Sequence, residues 1–158
     1  MLISTSRKPS QKTRSFCKNL SHALGTNYVN RGKMNMRELL LKALELDEVN
    51  IAVVNQIKGN PSKITFFSNK GEELLTILIT VSISTTRLNI QPSKLKLVSK
   101  VDELDVLSNI LNIELKATAS ENYILISSID DENYLAKINF INKFGEKTDL
   151  QIYVRKIL

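Results

Sequence analysis

The stretch Thr5–Arg14, TSRKPSQKTR, sets Arg7, Lys8, Lys12 and Arg14 around a proline–serine step. Guanidinium and ammonium groups beside serines and the unpaired amides of a helix start form an anion site, and phosphate suits that chemistry. Lys18, one turn beyond Arg14, extends the positive surface. Arg31 and Lys33 flank Gly32; they either reach the same anion or solvate a loop, and spacing alone does not choose. Any one of these bases reads as a solvated side chain. The anion reading rests on the cluster.

Other reactive groups are few. Cys17 is the single cysteine and His22 the single histidine, too few for an internal disulfide or a zinc site. Cys17 has no histidine placed to act as its base, and reads as a small buried hydrophobe. His22 reads as a surface residue on a cationic helix face. The acid pairs Glu72-Glu73, Asp102-Glu103 and Asp130-Asp131 fall in turns or at a helix start, where acids favour the helix dipole. Arg31-Gly32-Lys33 lacks the spacing of a P-loop, and Gly59-Asn60-Pro61 lacks the glycines that cradle a pyrophosphate. The expectation is a protein that is not an enzyme and uses no cofactor and no metal.

Charge placement strengthens the anion reading. The chain has 158 residues and a net charge of +6. Residues 1–43 hold nine bases and one acid, Glu38, whereas the remainder holds 13 bases and 15 acids. All of the basic excess therefore lies in the first quarter, which points to a directed electrostatic surface and a polyanionic partner. With 42% apolar and 24% charged residues, wholesale disorder is excluded. The longest apolar run, Leu74–Ile83, is too short to span a bilayer, and the opening residues lack the apolar stretch of a secretory signal. A cytoplasmic protein without a membrane is expected. Aromatics make up only 6%; Phe66, Phe67, Tyr123 and Tyr134 read as sheet packing.

The elements that must position the basic cluster follow from periodicity. Leu2–Ser4 reads as a short strand. Pro9-Ser10 starts a helix whose apolar stripe is Phe16, Leu20, Ala23 and Leu24, ended by Gly25. Gln11, Arg14, Ser15, Lys18 and His22 then share the opposite face. Asn35 with Glu38 forms a capping-box pattern ahead of Met36, Leu39, Leu40, Ala43 and Leu44. Asn50–Ile57, Ile64–Phe67 and Leu74–Ile83 read as strands, with turns at Lys58–Pro61 and Asn69–Gly71. Thr85–Lys100 reads as a connection, Val101–Leu115 as a helix, and Tyr123–Ile129, Tyr134–Ile141 and Leu150–Ile157 as strands. The pattern predicts a mixed α/β chain in two sub-halves, although no repeat is visible in the residues themselves.

At Thr5-Ser6-Arg7-Lys8-Pro9-Ser10, followed by Phe16, Lys18 and Leu20, the chain resembles the opening signature of Brix-domain ribosome-biogenesis proteins. The likeness continues through Asn30-Arg31-Gly32-Lys33, Leu39 and Leu40, the strand ending at Ile57, and Gly59-Asn60-Pro61 with Ile64. It closes on Leu150–Ile157, LQIYVRKI. It is dense to about residue 67 and looser beyond, and the short chain rich in Lys, Ile and Asn looks like an archaeal-type member. The resemblance implies a single Brix domain over residues 1–158, made of halves at about 1–84 and 85–158. Each half would be similar to the anticodon-binding domain of class II aminoacyl-tRNA synthetases. It also implies binding to ribosomal RNA or its precursor during processing and subunit assembly, with a nucleolar setting only in eukaryotes. Arg7, Lys8, Lys12, Arg14, Lys18, Arg31 and Lys33 are the expected RNA-binding residues. The alternative is a scaffold that docks a ribosomal protein or a second assembly factor on an exposed edge of the Tyr134–Ile157 hairpin.

Overall fold

Strands β1 (Leu2–Thr5) and β3 (Asn50–Ile57) are buried on both sides, because each supplies apolar residues to two separate cores. The structure, a computed structural model, describes residues 1–158. Between these strands run α1 (Gln11–Leu24), β2 (Asn27–Tyr28) and α2 (Met36–Glu45). Ile3, Ala52 and Val54 pack under Phe16, Leu20 and Ala23 of α1, whereas Leu2, Ile51 and Val53 pack under Leu39 and Ala43 of α2. The period-two alternation of the strands thus puts the helices on opposite faces of the sheet.

Both helix starts match the sequence. Ser10 caps α1 through Thr13, Gly25 ends it in the left-handed conformation, and Asn35 and Glu38 complete a capping box on α2. Pro9 stands ahead of the cap and not in the first turn. Leu44, expected in the apolar stripe of α2, is 52% exposed. That helix covers a narrow strip of sheet, so its flank has nothing to pack against.

Strands β4 (Asn60–Ser68) and β5 (Glu73–Ser82) continue as antiparallel neighbours of β3. The turn between β3 and β4 is only Lys58–Gly59, both at positive φ as a two-residue hairpin requires, and Pro61 already lies in β4. Beyond residue 84 the sequence reading fails in two places. Thr85–Lys100 is not merely a connection: it holds β6 (Lys96–Ser99) after a short 3-10 turn at Pro92–Lys94. Val101–Leu115 is a 3-10 turn at Asp102–Leu104 followed by a five-residue helix, α3 (Leu107–Leu111), ended by Asn112 at φ 54. Val101, Leu104, Leu107 and Ile110 are all buried, so the apolar spacing is right while the backbone is broken.

Strands β7 (Tyr123–Ser127), β8 (Ala136–Ile141) and β9 (Lys147–Ile157) complete one nine-stranded sheet in the order β2-β1-β3-β4-β5-β9-β8-β7-β6. One pattern of pairing occurs twice. β1 pairs parallel to β3, then β4 and β5 follow antiparallel; β6 pairs parallel to β7, then β8 and β9 follow antiparallel. Leu97 also bridges to Leu115 in parallel, on the outer side of β6, where the first pattern has β2 beside β1. The patterns join through β5 and β9, and one cluster of 26 buried residues crosses that seam. Strand β9 therefore lies inside the sheet. The hairpin edge expected as a docking surface does not exist, because both flanks of β9 are paired.

Candidate nucleic-acid interface

The basic cluster is held where β1 hands over to α1. Ser6 donates its amide to the Val54 carbonyl at 2.9 Å, Arg7 and Lys8 are exposed, and Lys8 at φ 55 turns the chain into the helix. The start of α1 is docked on the β3–β4 turn. Ser10 donates from its hydroxyl to Gly59 O at 2.7 Å, and Gln56 Oε1 accepts from Ser10 N at 2.8 Å and from the Thr13 hydroxyl at 2.7 Å. Ser10 Oγ also accepts from Thr13 N at 3.1 Å, while the Gln11 and Lys12 amides have no acceptor within the protein, so helix amides and side chains both contribute to the positive field here.

Lys12, Arg14 and Lys18 are exposed along the outer face of α1, as their spacing predicts. Lys12 Nζ donates to Asn60 Oδ1 at 3.0 Å. Arg14 lies near the β2 edge: burial raises the Tyr28 hydroxyl, as does Cys17, and the Arg14 charge opposes them. His22 is exposed on the same helix. Cys17 is fully buried, and desolvation raises its thiol to about 12. It stays protonated at neutral pH and offers no thiolate.

Arg31 departs from its expected company. It is only 7% exposed, donating from Nε to Met34 O at 2.7 Å and from Nη1 to Thr5 O at 2.8 Å. Burial, and then the nearby charge of Arg7, lowers its pKa. Lys33 is exposed beside Gly32, which adopts φ 53. The seven expected bases thus form two sets. Lys12, Arg14 and Lys18 lie on the α1 face, and Arg31 and Lys33 lie in the loop before α2, with Arg7 and Lys8 between. Of all nine bases in residues 1–43, only Lys42 makes an ion pair, with Glu45.

The sequence reading missed Lys63, which lines a groove with Arg31, Ser6 and Asn55 on the α2 face. The signal was present in the alternation of β4, where Lys63 shares a side with Thr65 and Phe67. Their face could not be assigned without the pairing to β3.

No protein-family model matches the chain. A probable Brix domain-containing ribosomal biogenesis protein of Methanothermobacter thermautotrophicus is 32% identical over 155 residues, covering 98% of this chain and 96% of that one. The chain belongs to the Brix-domain family. A relative of the same description from Methanosarcina mazei is 44% identical over 78 residues, 49% of this chain and 47% of its own. Among solved structures, an archaeal Imp4-like protein matches with a TM-score of 0.87 and 31% identity, covering 100% of this chain and 98% of that one. A probable ribosomal biogenesis protein from Aeropyrum pernix matches in fold, with a TM-score of 0.76 and 24% identity over 98% of this Brix chain and 94% of its own.

Proposed function

We propose that the protein is a non-catalytic RNA-binding factor that holds ribosomal RNA or its precursor during processing and subunit assembly. The observation that carries this reading is the exposed, carboxylate-free set Arg7, Lys8, Lys12, Arg14 and Lys18 along the entry loop and outer face of α1. The setting is supported by relatives described as ribosomal biogenesis proteins. Phosphate contacts position an RNA without reading its sequence, so selectivity falls to RNA shape or to a protein partner. Lys33, and Arg31 through its remaining donor, act as auxiliaries. We place this work in the cytoplasm; no helix is long and apolar enough to cross a membrane. The twice-used strand pairing supports a duplicated domain dividing near residue 84, each half like a class II synthetase anticodon-binding domain.

The test is salt dependence. If about three to five phosphates are neutralised, the log–log slope on single-stranded RNA is about −2 to −4. The double variant Arg14→Glu, Lys18→Glu flattens that slope while keeping the native circular dichroism spectrum. An unchanged slope removes the α1 face from the interface.

The scaffold reading retains one supporting observation. The α2 side of β7, β8 and β9 carries no helix, and Leu125, Tyr123 and Tyr153 are only half-buried there. Substitutions at Leu125 and Tyr153 that abolish capture of a ribosomal protein, with RNA affinity intact, favour it.

A further inference from the structure

A buried guanidinium without a carboxylate is an unusual feature, because desolvating a charge is costly unless something compensates it. Arg31 is that case. Two backbone carbonyls hold it, no acid lies within ion-pairing distance, and its Nη2 has no protein acceptor. It lines an open groove of about 370 Å³ on the α2 face of the sheet.

The sheet register orders the groove. Asn55 faces Lys63 across β3 and β4, and Ser6 lies at the same end because its amide bonds Val54. Lys63 makes no ion pair and no hydrogen bond, so this end offers two cationic groups and two polar side chains. Four residues further along β4, about 13 Å of strand, Phe67 pairs with Glu73. Phe67 is half-buried beside Met36, and Glu73 is exposed with Oε1 accepting from the Thr76 hydroxyl at 2.7 Å. The groove is thus cationic at one end and apolar at the other, where the Phe67 ring has the Glu73 carboxylate beside it on the neighbouring strand.

That order matches a nucleotide. We propose that the groove seats one phosphorylated nucleotide unit, its phosphate between Arg31 and Lys63, its base against Phe67, and a base amino group donating to Glu73. The proposal rests on the RNA-binding reading and adds a subsite to it on the opposite face of the sheet from α1. The phosphate is either an internal diester of single-stranded RNA or that of a free nucleoside monophosphate; the proposal takes the RNA, and the monophosphate is an arm of the test.

The test titrates isotope-labelled protein with five-residue oligocytidine, with cytidine monophosphate and with inorganic phosphate, following backbone amides. Oligocytidine is expected to shift Ser6, Asn55, Lys63 and Phe67. Lys63→Gln, which breaks no hydrogen bond or ion pair, weakens oligocytidine about fivefold at 0.1 M salt and lowers the log–log slope by about 0.7, the value of one lost phosphate contact. Glu73→Gln keeps the Thr76 bond and the slope, and narrows the preference for oligocytidine over oligouridine. Arg31→Lys serves as a second probe, with its thermal midpoint measured alongside because Arg31 also anchors Thr5 and Met34.

Shifts confined to α1, with Lys63→Gln indistinguishable from the parent, overturn the groove and leave the RNA-binding reading intact. Loss of all RNA binding at moderate salt overturns both. Groove shifts with the monophosphate and none with oligocytidine overturn RNA as the source.

Discussion

The two halves of the sheet use one order of strand pairing and dress it differently. In the first, a 14-residue helix with both ends capped and a ten-residue helix with a capping box cover opposite faces. In the second, a 3-10 turn and a five-residue helix cover one face, and the other face has no helix. Charge differs as well. The bases of α1 have no acidic partners, whereas Lys96 and Lys116 are both drawn to Glu114, at 2.8 and 3.0 Å. Those lysines in turn hold the Glu114 carboxyl below its ordinary range. The fold therefore resides in the strand pairing and the shared core, while helices and charges are free to specialise each half for a different surface.

The strongest way to break this comparison is to ask whether the halves are separable. Phe16 under α1 and Phe140 in β8 belong to one buried cluster. Phe16→Ala and Phe140→Ala are each expected to cost about 3–5 kcal/mol and to shift one cooperative urea transition. Two resolved transitions would show that the seam between β5 and β9 does not couple the halves.

The next effect belongs to the first half alone. Burial raises the Cys17 thiol from 9.0 to about 12. The unfolded state loses its proton first, so stability from this group is complete below about pH 9 and is lost as pH rises towards 12. By pH 10 the loss is about 1.4 kcal/mol. Urea midpoints at pH 7 and pH 10 check this: Cys17→Ala removes that part of the alkaline loss, and an identical pH dependence in the variant excludes it.

Removing the cap that distinguishes α1 has an effect of the same order. Ser10→Ala loses the bond from Thr13 N and the bond to Gly59 O, and is expected to cost about 1–2 kcal/mol by chemical denaturation. The smallest change lies on the face of the second half that carries no helix. Asn139 is 2% exposed and its Oδ1 has no hydrogen-bond partner. Asn139→Leu is therefore expected to stabilise by about 1 kcal/mol, read as a higher urea midpoint. A loss of stability instead would show that the amide contributes more than its geometry indicates.

Legibility in the sequence divides at the same place as the architecture. The first half carries its structure in short-range signals: the Ser10 cap, Gly25 at the helix end, and the Asn35–Glu38 box. The second half carries weaker ones. Strand β6 is four residues long and follows Pro92, so its apolar Leu97 and Val98 read as part of a connection. The apolar spacing from Val101 to Ile110 was correct for burial and wrong for length, because periodicity reports which side chains face the core and not whether the backbone bonds run unbroken. In the candidate interface, the exposed bases of α1 were readable from helical spacing. The burial of Arg31, and the presence of Lys63 beside it, were not.

By itself, the sequence determined the longer strands (but not β6), the two capped helices, the inert cysteine and a basic first quarter. These follow from alternation, capping and composition, which act over a few residues. Only the tertiary structure decided the strand order, with β9 at the seam, and the row that brings Ser6, Asn55 and Lys63 under Arg31. Those contacts join residues dozens of positions apart. Backbone pairing between strands, which no local pattern encodes, sets which distant side chains share a face.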